Sequence, residues 1–252
     1  MTSAQLGDST YGTLRTNPYR LAVLPWGATE AHNYHLPYGT DNIETQWIAA
    51  EAATLANARG AGALVLPIVP FGVNTGQLSI PWTINMNPST QMALLKDVLV
   101  SLEHQGIGRL VVLNGHGGND FRQMIRELQP AHRVLLATVN WYRCLPLKEF
   151  FDHPGDHADE METSVMLHIA PHLVRPLSEA GSGSSRSPAL QGFREGWAWT
   201  PRDWKLASED TGVGDPRAAT PEKGKRYLEA VVARIAAFLA EFAETSPEAL
   251  YS

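Results

Sequence analysis

The sequence contains a single cysteine, Cys144, so no internal disulfide can form. This excludes the disulfide scaffolds typical of small secreted proteins. Cys144 lies in no recognisable nucleophile motif, and we expect it to be a buried structural thiol. The N-terminus also lacks a basic segment followed by an apolar core, and no apolar run is long enough to span a bilayer. These absences predict a cytoplasmic protein with no membrane partner.

An excess of basic residues is also missing. The chain has 20 Lys and Arg against 26 Asp and Glu, giving a formal charge of −6. Proteins that bind nucleic acids usually show a basic patch or stripe, so we expect no nucleic-acid partner. Hydrophobic residues make up 44% and charged residues 18% of the chain, which is ordinary for a globular enzyme. With no internal repeat, the length predicts one domain over residues 1–252.

Short, continuously apolar runs alternate with helical patterns along the chain. The runs typical of buried strands cover residues 21–25, 63–69, 109–113 and 133–139. The helical patterns run from Asp41 to Ala58, from a cap at Ser89 to Gln105, from Asn119 or Asp120 onward, and from Pro221 to about Glu244. Strands that are apolar throughout need cover on both faces. The fold class predicted is therefore α/β, a three-layer α/β/α sandwich with a mainly parallel sheet.

A first group of chemically active residues follows the first predicted strand. Glu30 and His32 stand two residues apart and share one side of an extended segment, while Asp41 begins the next helix. Open α/β sheets place ligands beyond the carboxyl ends of their strands, and two carboxylates with an imidazole suit zinc, manganese or iron. Alternatively, Asp41 only caps its helix and Glu30 is solvated.

A second group, at residues 114–119, lies between the third predicted strand and its helix. Glycines surround His116 and would let the backbone approach a ligand closely. A phosphate-binding glycine loop in a nucleotide-binding module is the alternative, but the Lys-Ser/Thr pair of a P-loop is absent. A histidine at this point fits a metal better than an anion.

A third group, at residues 156–164, is predicted to open a helix. Residues three or four apart share a helix face, so His157 and Glu160 are expected to point into the site together. Glu162 would then project elsewhere or lie beneath the site. The competing interpretation is that acidic residues in a first turn only stabilise the helix dipole.

Taken together, residues 20–170 resemble the creatininase (creatinine amidohydrolase) family. The resemblance rests on Glu-x-His followed by His-Leu-Pro and Gly-Thr-Asp, on Asn-Gly-His-Gly-Gly-Asn, and on His-Ala-x-Glu-x-Glu-Thr-Ser. It implies an α/β/α fold, a homo-oligomer (often a hexamer) and a site for two divalent ions, Zn, Mn or Fe. It further implies that Glu30 and His116 bind one ion, that His32 binds the other, and that Asp41 bridges them.

Two departures from the creatininase pattern argue against creatinine as the substrate. Creatininase has a glutamate two residues after the loop histidine, where this chain has Gly118. We expect Glu160 to supply the missing ligand. Creatininase also has a tryptophan four residues before the helix histidine, where this chain has His153.

The resemblance predicts a hydrolase that cleaves a non-peptide carbon–nitrogen bond of a small amide, such as a cyclic amide or a formamide, with a metal-activated water. His157 is expected to protonate the leaving nitrogen, and Glu162 to orient His157 or the water. Two alternatives stay open: a peptidase-like maturation enzyme, and a non-catalytic member that binds a metal or a small molecule. Three tryptophans either line the substrate entrance or pack in the core or a subunit interface: Trp197, Trp199 and Trp204.

Overall fold

A computed structural model describes residues 4–251. Its centre is a parallel four-stranded sheet with the strand order β2-β1-β3-β4. The strands are β1 (Leu21–Trp26), β2 (Ala63–Val65), β3 (Arg109–Asn114) and β4 (Leu135–Asn140). Every residue of β1 is buried, because the sheet is covered on both faces.

The helices are α1 (Tyr11–Leu14), α2 (Thr40–Asn57), α3 (Pro88–His104), α4 (Phe121–Leu128), α5 (Glu160–Ile169), α6 (Gln191–Arg194), α7 (Trp204–Ala207) and α8 (Pro221–Glu244). The five longer ones, α2, α3, α4, α5 and α8, cover the two faces of the sheet. Leu21 and Val23 of β1 share one core cluster with residues of α2, α5 and α8. Ala22 and Leu24 share the other cluster with residues of α3 and α4. The predicted three-layer α/β/α sandwich is confirmed.

The connections between strands create a crevice above the middle of the sheet. After β1 the chain moves to one side to form β2, and it then crosses to the other side of β1 to form β3. The carboxyl ends of β1 and β3 are neighbours, with Trp26 paired to Asn114. Ligands of open α/β sheets bind where successive connections leave in opposite directions, so this crevice is the expected place for a site.

Element boundaries differ from the sequence-based prediction in two instructive places. The second strand, predicted over residues 63–69, ends at Val65 as a regular strand because Pro67 has no N–H to donate to the ladder. The chain nevertheless stays beside β1, since Val69 N–H donates to Pro25 O at 3.0 Å. The predicted cap at Ser89 is wrong: Asn87 precedes α3, and Pro88 occupies its first turn. Within residues 4–251, no helix is long and apolar enough to cross a membrane.

Candidate metal centre

Two buried carboxylates follow β1. Glu30 lies in the loop after the strand, where its N–H donates to Tyr38 O and its carboxylate accepts a hydrogen bond from the Gln77 amide. Asp41 lies in the first turn of α2. Both residues are 1% exposed. Burying a carboxylate is unfavourable unless it is paired or coordinated, so two together indicate a requirement for positive charge.

His116 approaches both carboxylates from the end of β3. The Asn114 side chain fixes the loop, because it accepts from His116 N–H at 3.2 Å and donates to His116 O at 2.9 Å. Nδ1 of His116 then lies 3.0 Å from Glu30 Oε1 and 3.0 Å from Asp41 Oδ2. The ends of two adjacent strands thus bring three predicted ligands together.

All three imidazoles of the site share one hydrogen-bonding pattern. Each ring donates from one nitrogen to a backbone carbonyl, which directs the other nitrogen toward the carboxylates. The donating contacts are His116 Nε2 to Val73 O (3.1 Å), His32 Nδ1 to Glu30 O (3.1 Å) and His157 Nε2 to Ala31 O (2.9 Å). Metal-binding histidines typically donate their second ring N–H in this way.

The distances group these side chains into sets that can hold a metal. Within each of three sets, the ligand atoms lie no more than 4.8 Å apart. The sets are Glu30, Asp41 and His116; His32, Asp41 and Glu162; and Glu30, His32 and His157. Asp41 belongs to two of them, since its Oδ1 lies 2.9 Å from His32 Nε2 and its Oδ2 lies 3.0 Å from His116 Nδ1. Mixed imidazole and carboxylate donors suit zinc, manganese or iron.

The electrostatics of the cluster also fit a cation. Burial raises the pKa of Glu30 and of Asp41, but the neighbouring imidazoles outweigh burial and hold both pKa values below their usual range. Burial opposes a charge on His32, yet Asp41 raises the pKa of His32 to about 10. Glu30 and Asp41 likewise raise the pKa of His116 well above its usual value, against the effect of burial. In the metal-free protein these imidazoles hold protons that a bound cation would displace.

The third motif is arranged differently from the expectation that His157 begins a helix. Helix α5 begins at Glu160, where the Asp159 side chain accepts from Met161 N–H and Glu162 N–H. His157 lies before the helix and forms a β-bridge with Val213. Its Nδ1 is 3.8 Å from Glu30 Oε1, and its ring centroid is 4.2 Å from that of His32. His157 therefore reaches the site from an extended segment, independently of the helix face.

The two glutamates of this motif occupy different places. Glu162 lies with His32 and Asp41, and burial raises its pKa to about 8 although His32 opposes the shift. Glu160 instead contacts Nζ of Lys223 at 2.5 Å, outside the three candidate sets. The structure thus brings Glu162, and not Glu160, to the cluster of candidate ligands.

Gly118 has no room for the glutamate that creatininase carries at this point of the motif. A Cβ at this position would lie 2.3 Å from Val73 O and 2.5 Å from His116 Nε2. Any side chain here would disturb the hydrogen bond that orients His116.

Of two further residues at the site, Gln77 was not predicted from the sequence, whereas Trp204 was expected either at the substrate entrance or in the core or an interface. Gln77 donates to Glu30 from a short 3₁₀ helix, Thr75–Gln77, inside the long loop after β2. Trp204 packs its indole on His157, with ring centroids 4.7 Å apart. Its neighbours Trp197 and Trp199 are instead mostly exposed.

The fold and this cluster define an α/β protein with a histidine–carboxylate candidate metal centre at the switch point of its sheet. The sequence matches the family model Creatininase, described as creatinine amidohydrolase, over residues 8–239. The chain therefore belongs to the creatininase family, which confirms the resemblance seen in the three motifs.

Named relatives extend this assignment. The mycofactocin precursor peptide peptidase of Mycobacterium ulcerans (strain Agy99) is 30% identical over 237 residues, which cover 90% of this chain and 87% of the relative. The creatinine amidohydrolase of Pseudomonas putida is 27% identical over 237 residues, covering 85% of this chain and 86% of the relative. Both relatives are hydrolases by name.

Solved structures share the whole fold. A provisionally assigned creatinine amidohydrolase from Bacteroides fragilis NCTC 9343 is 44% identical and superposes with a TM-score of 0.94, covering 100% of both chains. A mutant creatininase of Zn-Zn type is 23% identical with a TM-score of 0.80, covering 97% of this chain and 100% of that one. A structure described as creatininase Mn is 22% identical with a TM-score of 0.79. At that identity the last two show the shared fold alone.

Proposed function

We propose that this protein is a metal-dependent amidohydrolase whose candidate ligands are Glu30, His32, Asp41, His116 and Glu162. The observation that supports it most directly is that three imidazoles, each held to a backbone carbonyl through one ring nitrogen, direct the other nitrogen toward buried carboxylates. Two ions would share Asp41, with Glu30 and His116 on one side and His32 and Glu162 on the other. This assignment takes Glu162 in place of Glu160 as the ligand that compensates for Gly118.

A divalent cation at this site supplies Lewis-acid polarisation of the amide carbonyl and activation of water at neutral pH. His157 is the proposed acid–base residue. Burial and the nearby His32 lower the pKa of His157, and Nε2 is committed to Ala31 O, so Nδ1 is free to accept a proton. His157 would take the proton of the attacking water and return it to the leaving nitrogen.

The proposed substrate is a small amide with a non-peptide carbon–nitrogen bond. Gly118 and His153 replace the glutamate and the tryptophan that creatininase carries at these positions, which argues against creatinine as the substrate. A second candidate is a short peptide, which the 30% identical mycofactocin precursor peptide peptidase favours. Hydrolysis of a panel of cyclic amides, formamides and short peptides by the Zn- or Mn-loaded protein separates the two.

The metal assignment is tested by replacing His116, which contacts both Glu30 and Asp41. For His116→Ala we expect the loss of bound metal, measured by plasma emission, together with the loss of hydrolysis. His104→Ala is a matched control, because His104 lies at the exposed end of α3. A His116→Ala protein with full metal content would contradict the ligand assignment.

The role of His157 is tested separately from metal binding. His157→Gln is expected to keep the metal content of the unmodified protein and to lower kcat by about a hundredfold or more, the usual effect of losing an acid–base group. Loss of metal in this variant would identify His157 as a ligand instead. Unchanged turnover would remove it from the mechanism.

We further propose, from the family resemblance, that the protein assembles as a homo-oligomer. Light scattering on the metal-loaded protein measures its mass directly, and a monomer of 27.6 kDa would contradict the proposal.

A further inference from the structure

Part of the candidate metal centre reaches the protein surface. His32 is completely buried, whereas Glu162 retains 9% exposure and His116 and His157 each retain 6%. A substrate can therefore reach the centre beside these three side chains. Trp204 packs on the His157 ring at 4.7 Å, so its indole forms part of the rim of that entrance.

A cation is stacked on this indole. The guanidinium carbon of Arg202 lies 4.7 Å from the Trp204 ring centroid, a cation–π contact. Nη2 of Arg202 also donates to Asp156 Oδ2 at 2.8 Å. The side chains of Arg202 and Asp156 are 41% and 64% exposed, so this ion pair orients the guanidinium more than it neutralises it.

The guanidinium keeps unused donors toward solvent. Nε and Nη1 of Arg202 have no hydrogen-bond or ion-pair partner in the part of the chain that the structure describes, residues 4–251. An arginine presents its N–H groups as a rigid planar fork that matches a carboxylate. Since the indole and Asp156 already hold this fork, little conformational freedom is lost when a second carboxylate binds.

The backbone of Arg202 packs against a segment that contacts the metal centre. It lies so close to Gly76 that a Cβ on residue 76 would be 1.9 Å from Arg202 O. Gly76 belongs to the 3₁₀ helix whose Gln77 donates to Glu30. One short segment therefore lies in contact with both Arg202 and the candidate ligand Glu30.

We propose that Arg202 is a specificity-determining residue that binds a free carboxylate of the substrate at the entrance to the metal centre. The inference rests on the proposed hydrolytic function and adds a substrate class to it. The substrate would be an amide with a carboxylate several bonds from the scissile carbon–nitrogen bond, because one indole separates the guanidinium from His157. A carboxylate at that distance would align the amide between the metal centre and His157.

Binding of hydroxamates to the Zn-loaded protein tests this proposal without turnover. A hydroxamate chelates the metal, and a distal carboxylate on a methylene chain can then reach Arg202. The probes are the monohydroxamates of succinic, glutaric, adipic and suberic acids, each paired with its ω-methyl ester. At one chain length we expect the acid to bind at least about tenfold more tightly than its ester, as for a charge-assisted hydrogen bond.

Variants of Arg202 test whether this side chain causes the tighter binding of the acid. Arg202→Met keeps the apolar stem and should bring the acid-to-ester ratio near one, whereas Arg202→Lys should retain part of it. Arg175→Met is the matched control, because Arg175 forms a similar exposed pair with Glu179. Equal binding of acids and esters, or a preference that survives Arg202→Met, would overturn the proposal while leaving the metal centre intact. If no hydroxamate binds to the Zn-loaded protein, the proposed hydrolytic centre fails first, and this inference fails with it.

Discussion

Glu160 and Glu162 stand two residues apart in the first turn of α5, are both buried, and have opposite surroundings. Glu160 accepts from the backbone N–H groups of Asp152 and His153 and contacts Lys223, so its charge is compensated within the chain. Glu162 accepts from Ala158 N–H and lies among other carboxylates. A buried carboxylate that has its own cation is a structural element, whereas one grouped with further carboxylates requires a cation from outside.

The largest expected difference between the two glutamates is in activity. Glu162→Gln removes a proposed ligand, and we expect one metal ion fewer per subunit and at least a hundredfold lower turnover. Glu160→Gln should keep full metal content. Metal content by plasma emission and turnover are measured on the same preparation of each variant. Loss of metal in Glu160→Gln and full metal content in Glu162→Gln would contradict the assignment of Glu162 as the ligand.

The next difference concerns stability. Lys223→Met leaves the Glu160 carboxylate without its cation, and we expect the free energy of unfolding to fall by about 2 kcal/mol. This is below the value for a fully buried pair, because the Lys223 side chain is 23% exposed. Urea unfolding measures the change. Lys225→Met is the control, since Lys225 is exposed and its nearest carboxylate, on Glu229, lies 3.9 Å away. Equal stability of the two variants would show that Glu160 needs no cation.

A smaller change should weaken the metal centre without touching a ligand. Gly118→Ala places a methyl group against Val73 O and His116 Nε2. The methyl group would disturb the hydrogen bond between these two atoms, which orients the His116 ring. We expect metal affinity to fall about tenfold, the lower end for a lost outer-shell contact. Competition with a fluorescent zinc chelator gives the affinity, and Gly117→Ala, where a Cβ would have open space, provides the comparison. Unchanged affinity in Gly118→Ala would mean that the Val73 contact is dispensable.

The sequence predicted the sheet and part of the site because both depend on short-range patterns. Continuous apolar runs identify buried parallel strands, and residues just after β1 and β3 must meet at one edge of the sheet. The convergence of Glu30, His32, Asp41 and His116 at this edge could therefore be predicted from the sequence. The same reasoning predicted the layers that cover the sheet.

The two glutamates show where that reasoning stopped. Which of them faces the cluster depends on where α5 begins, and the start was predicted too early, at Asp156. Asp159 caps the helix, and Ala158 before it has a positive φ of 49°, so His157 lies outside the helical repeat. Gln77 reaches the site from the long loop after β2, where no periodicity predicts position, and the sequence left the place of Trp204 open between the entrance and the core.

The last prediction concerns the pH dependence of stability in the metal-free protein. Burial raises the pKa of Glu162 to about 8, so the folded state holds a proton that the unfolded state releases near 4.5. Against the effect of burial, Asp41 raises the pKa of His32 to about 10, so the folded state also holds that proton above 6.5. A folded state that binds more protons loses stability as pH rises.

In protein freed of metal with a chelator, the titrations of Glu162 and His32 therefore act in the same direction between pH 6.5 and 8. His35, whose pKa burial lowers to about 4, opposes this change only near pH 6.5, where its unfolded form is still half protonated. We expect the free energy of unfolding to fall by about 1 kcal/mol per pH unit for each group. Urea titrations of the chelated protein should show a shallower slope in Glu162→Gln and an unchanged slope in Glu160→Gln. If stability falls as steeply with pH in both variants as in the unmodified protein, Glu162 does not hold the proton that a metal would replace. Glu162 would then differ from Glu160 only in its position.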